Sequence, residues 1–101
     1  MKKPDKIDDF KHLLSDMEHR ERFVFNASDA ATDINPDIKY VEIYCTCLYE
    51  TSTFSNGLDR NIKVSFVDIC GKQIAGRAYS INKYLRLWTD DFYNKIFSFI
   101  A

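Results

Sequence analysis

"IKYVEIYCTCLYET", residues 38–51, decides the fold. It is crowded with β-branched and aromatic side chains and has no helical period, so it reads as a long strand. A period of two sorts it into Val41, Ile43, Cys45, Cys47 and Tyr49 on one face and Tyr40, Glu42, Tyr44, Thr46 and Leu48 on the other. The cysteines share the face of Val41 and Ile43, which points them toward the core. Their Cα atoms, two apart on a strand, would be about 6.6 Å apart with parallel Cβ vectors, poor geometry for a disulfide.

Downstream, "STFSNGLDR" is a loop around Asn56-Gly57 and "NIKVSFVDIC", residues 61–70, a second strand with apolar residues on both faces. "CGKQ" is a tight turn with Gly71 available for positive φ, and "QIAGRAY" returns as a third strand in which Gly76 marks a bulge. Ser80 then caps a C-terminal helical segment whose Ile81, Leu85, Trp88, Phe92, Ile96 and Phe99 form a stripe about 80° wide. Thr89-Asp90-Asp91 has the look of a fresh N-cap and marks a break or a second helix.

Upstream, from Pro4 to about Arg22, Ile7, Phe10, Leu13, Leu14 and Met17 fall on one helical face. Asp5, Asp8 and Asp9 open this helix and Arg20 and Arg22 close it, complementing its dipole. "RFVFNASDAATDINPD" reads as a connector ending in the Asn35-Pro36 turn, with Ser28 capping one helical turn over Asp29 to Thr32. The expectation is a single α+β domain over residues 1–101, in the order α-β-β-β-α: a three-stranded antiparallel meander with both helices on one face of the sheet.

Composition narrows the function classes. The chain has 101 residues, 46% hydrophobic and 15% aromatic, which is enough apolar material for one core. A formal net charge of −1 sets up no strong field toward nucleic acid or an anionic membrane. Residues 1–37 carry six Lys/Arg against nine Asp/Glu and residues 38–101 eight against six, an acidic front and a mildly basic back. "MKKPDKIDDF" has no apolar run behind its lysines, and no stretch approaches the roughly 20 apolar residues of a membrane span, so a cytoplasmic setting is expected. Three cysteines without a framework of spacings suit that compartment.

Chemistry is sparse. A zinc site needs about four ligands, and beyond Cys45 and Cys47 only Cys70, His12 and His19 are of the right kind. The two histidines would lie roughly 10 Å apart along the first helix, opposite Phe10 and Met17, so no metal is expected. No phosphate loop or nucleophile elbow is present, and Glu42 and Asp68, the one acid/base pair worth weighing, read as the wet face of the sheet. Neither a cofactor nor an enzymatic activity is expected.

The aromatic residues are more telling. Tyr93, Phe97 and Ile100 extend the last helix's apolar surface about 60° beyond its stripe, and Tyr40, Tyr44 and Leu48 lie opposite Val41 and Ile43. If helices cover one face of the sheet, one of these sets is exposed, and exposed Tyr and Phe mark protein contacts. The leading expectation is a non-enzymatic protein-binding module acting by occlusion: an inhibitor, immunity protein or antitoxin, or a phage-encoded antagonist of host defence such as an anti-CRISPR. Its contact residues would be Tyr40, Tyr44 and Leu48 on the sheet, or Tyr93 and Phe97 on the last helix, and a homodimer through the second flank of the last helix is compatible with it.

The alternative is RNA binding. "VSFVDICGKQIAGRAYSINKYLRLW", residues 64–88, resembles the last two strands and the start of the closing helix of the double-stranded-RNA-binding domain. The resemblance implies phosphate contacts from Lys72, Lys83 and Arg86. The sequence departs from that family in having bulky Tyr84 where a small residue is usual and no lysine cluster at the helix start.

Overall fold

A computed structural model describes residues 1–49, 58–74, 79–82 and 90–101. Strand β2 (Tyr40–Tyr49) pairs antiparallel with β3 (Leu58–Val67) along its whole length, from Tyr40 opposite Val67 to Tyr49 opposite Leu58. Strand β4 (Tyr79–Asn82) continues the meander on the far side of β3, with Ile81 opposite Ile62. Helix α1 (Ile7–Ser15) precedes the strands and helix α3 (Asp90–Phe99) follows them. The protein is thus the α+β meander between two helices that the residue pattern implied, and the helices share one core with one face of the sheet.

The sheet also has a fourth strand, in the order β1-β2-β3-β4. Strand β1 (Arg22–Asn26) comes from the segment read as a connector and from the last residue assigned to the first helix. Helix α1 stops at Ser15, and the turns after it reach Arg20, whose φ of 66° lies in the left-handed region. There the Arg20 N–H donates to the Cys45 carbonyl and the Cys45 N–H to Glu21, so β2 captures the chain as it leaves the helix. Arg20 and Arg22 therefore do not close the first helix, and Arg22 begins β1 instead.

Alternation along β1 is short but sufficient. Phe25, opposite Val41, is fully buried and its neighbour Val24 is exposed. The outer edge of β1 is in turn covered: the amino group of Met1 donates to the Val24 carbonyl at 2.8 Å and the Ala101 N–H to Asn26 at 2.9 Å. Covering an edge in this way removes a template for unwanted strand pairing.

The connector holds one helical turn and a little more. Helix α2 (Asp29–Ile34) begins after Ser28, as the sequence implies, and the Ser28 carbonyl accepts from Ala31 and Thr32. The Ser28 hydroxyl makes no cap bond and donates instead to the Ser98 carbonyl, tying α2 to α3.

At the other end, Ser80 pairs with Lys63 within β4 and caps no helix, and Ile81 belongs to a strand rather than to the helical stripe. The closing helix of the RNA-binding resemblance therefore does not begin at Ser80. Gln73 forms an isolated bridge to Val67, just past the turn, while β4 starts at Tyr79. The loop at Asn56-Gly57, Gly76, Leu85, Trp88 and Thr89 lie outside the described residues. The hairpin turn is as expected: Gly71 has a φ of 80°, and the Asp68 carboxylate accepts the N–H groups of Cys70 and Lys72 at 2.9 Å each.

The core lies between the sheet face that carries Val41, Ile43, Cys45, Ile62, Val64 and Phe66 and the helices that supply Phe10, Leu14 and Ile96. Phe10 packs on Phe25 and Phe97, and Phe66 meets Phe99 edge-on at 5.3 Å. Each fully buried side chain of this kind contributes about 1.5–3 kcal/mol. No helix among the described residues is long and apolar enough to cross a membrane.

Candidate functional site

Because the helices take one face of the sheet, the alternate residues of its strands form a second face against which no described helix packs. Antiparallel register assembles this face in rows. Arg22 of β1, Tyr44 of β2 and Lys63 of β3 form one row, Val24, Glu42 and Ser65 the next, and Asn26, Tyr40 and Val67 the third. Tyr40, Glu42 and Tyr44 are half-buried, whereas Arg22 and Lys63 are exposed.

One ion pair and one ring contact order its centre. The Arg22 Nε lies 3.4 Å from a Glu42 carboxylate oxygen, and its guanidinium carbon lies 5.7 Å from the Tyr44 ring centroid. Such a surface pair adds less than about 1 kcal/mol to stability, but it holds Arg22 against the aromatic ring. Beside it, a cleft of about 280 Å³ lies between Lys63, Ser65 and the hairpin turn at Gly71 and Gln73.

Of the aromatic residues singled out in the sequence, Tyr40 and Tyr44 lie on this face. Leu48 is placed in β2 by its pairing with Asp59. Tyr93 and Phe97 are not brought to it. Tyr93 is 8% exposed, with the Lys11 Nζ 5.5 Å from its ring centroid, and Phe97 packs on Phe10 with the Lys3 Nζ 4.1 Å above its ring. The broad apolar arc of α3 is broad because the helix is wedged between the sheet and α1 and α2, so stripe and flank both find partners.

The basic residues separate as well. Lys72 stands exposed in the hairpin turn, beside a wider depression bounded by Pro36, Lys39 and Ile74. Lys83 and Arg86 lie outside the described residues. Glu42 and Asp68 are each engaged elsewhere, Glu42 with Arg22 and Asp68 with the turn N–H groups. Cys45 is buried, with its Sγ 3.9 Å from the Met17 carbonyl, Cys70 is exposed, and neither is in a disulfide. Among the described residues, no three His, Cys, Asp or Glu side chains are grouped to hold a metal ion.

Sequence reasoning missed Arg22, Lys63 and Ser65. Lys63 and Ser65 were within reach, since the alternation Ile62, Val64, Phe66 leaves them on the opposite face. Arg22 was not, because its role depends on the edge strand that β2 recruits. Compared with protein-family models, curated proteins and solved structures, the chain matches none.

Proposed function

We propose that this protein is a small non-enzymatic binding module that works by covering a surface of another protein with the open face of its sheet. One observation carries the reading: Arg22, Tyr40, Tyr44 and Lys63 stand together on a face that no described helix covers. Tyr and Arg dominate protein interfaces because they combine a large apolar contact with a polar handle, and a sheet holds them rigid, which lowers the entropy lost on docking. An inhibitor, immunity protein, antitoxin or phage-encoded antagonist would use such a face to occlude its target. Free thiols suit a cytoplasmic setting for it.

The test is affinity capture of the tagged protein from its native lysate, with and without nuclease, for the wild type and Tyr44→Ala. A protein partner retained through nuclease and lost with Tyr44→Ala is the expected result. Truncating a central aromatic contact of this type costs about 2 kcal/mol or more, roughly thirtyfold in affinity. Capture that vanishes with nuclease would favour RNA, with Lys72, Lys83 and Arg86 as the residues to reverse in charge. A homodimer is tested separately, by mass in solution.

A further inference from the structure

The open face holds a buried polar group that bonds to none of the described residues. Ser65 is 8% exposed, and because Val64 and Phe66 turn into the core, its hydroxyl lies on the outer side, where it lines the cleft beside Lys63. Buried hydroxyls are nearly always hydrogen-bonded, since an unmade bond forfeits the group's hydration. Among the described residues the Ser65 hydroxyl has no partner. The same holds for Lys63, which is exposed and two residues away on the same face.

Charge selects what would fit. Arg22 is engaged by Glu42, so the two cations and one carboxylate around the cleft leave one positive charge unmatched, and it sits on Lys63. A singly charged carboxylate balances that charge. A phosphate monoester, with nearly two negative charges, would leave an excess beside Glu42, and a cation would meet Lys63. At about 280 Å³ the cleft is smaller than the usual small-molecule pocket and suits the end of one side chain. Tyr44 and Val67 offer apolar wall for its methylene groups, and Gln73 a further donor.

We propose that this cleft receives the carboxylate of an aspartate or glutamate side chain from the partner protein, bound by the Lys63 ammonium and the Ser65 hydroxyl. The proposal rests on the protein-contact reading and names the chemistry that reading leaves open.

The experiment is an amide-shift titration of the full chain with a capped glycyl-glutamyl-glycine peptide and, in parallel, its glutamine counterpart and inorganic phosphate. Saturating shifts confined to the cleft, in residues 63–67 and 71–73 and their neighbours Arg22, Glu42 and Tyr44, are expected with the glutamate peptide, about tenfold weaker with the glutamine one, and weakened to a similar degree by Lys63→Gln. Ser65→Ala, which removes no packing from the core, should weaken the glutamate peptide several-fold and the glutamine peptide by less, because the lost hydrogen bond is stronger to a charged acceptor. Equal response to both peptides, tighter binding of phosphate, or no shift in these residues would overturn the proposal. If Tyr44→Ala abolishes capture of a protein partner while the titration fails, the contact reading stands and the acidic anchor falls. If the peptide binds as described and Tyr44→Ala leaves capture intact, the cleft stands and the wider contact reading falls.

Discussion

Cys45 and Cys70 carry the same thiol to opposite fates. Cys45 is enclosed by the core beneath β2, while Cys70 sits at the tip of the hairpin turn. Burial leaves no path for a reagent, so Cys70 should react with a thiol reagent in the native protein and Cys45 only once the fold opens. Labelling followed by peptide mapping checks this, and native labelling of Cys45 at the rate of Cys70 would refute its placement. Tyr44 and Tyr93 divide in the same way. Tyr93→Ala should cost about 3 kcal/mol or more in denaturant unfolding, because its ring is buried against the core, whereas Tyr44→Ala should stay within about 1 kcal/mol of the parent. No local property of the two tyrosines separates them; what differs is the element each stands on and the face of it that is covered.

Among the elements, the hairpin turn was the most legible and β1 the least. The turn is governed by two residues with local chemistry: Gly71 takes a φ of 80° that side chains resist, and Asp68 binds the N–H groups two and four residues ahead. A Cβ at Gly71 would meet nothing within 4 Å, so Gly71→Ala should cost only the backbone term of about 1 kcal/mol, read from the unfolding midpoint. A loss of several kcal/mol would mean that the glycine is needed for space instead. Strand β1 has no such signature. Its five residues offer only Phe23 and Phe25 to the core, and they follow a stretch with good helical spacing. It becomes a strand because β2 presents an unpaired edge, and hydrogen bonds to that edge outweigh a weak local preference. The same logic moved Ser80 and Ile81 from a helix start into β4, against Lys63 and Ile62.

For the molecule as a whole, the consequence of placing the three described helices against one side of a four-stranded sheet is a second side that no described helix covers. The net charge of −1 makes no strong long-range field, so recognition on that side should depend on contact and on local charge such as Arg22 and Lys63. A partner held through Lys63 should be captured less well as salt rises, but only modestly, since one exposed charge is involved. Phe97→Ala should weaken capture only insofar as it weakens the fold, through lost contact with Phe10. Comparing thermal midpoints with capture yields for Tyr44→Ala and Phe97→Ala separates the two effects. A Phe97→Ala protein of unchanged stability that lost its partner would shift the interface to α3.

The sequence by itself determined the α+β class, the long strand β2, the turn at Gly71 and the two faces of the central strands, because each follows from side-chain periodicity or from one residue's backbone preference. Tertiary structure decided where α1 ends, that β1 joins the sheet, that Tyr93 and Phe97 turn inward, and that Arg22, Tyr44, Lys63 and Ser65 meet on one surface. Those outcomes depend on pairing between segments distant in the chain, whose free energy is set by the partner strand or helix and leaves no mark on the local pattern.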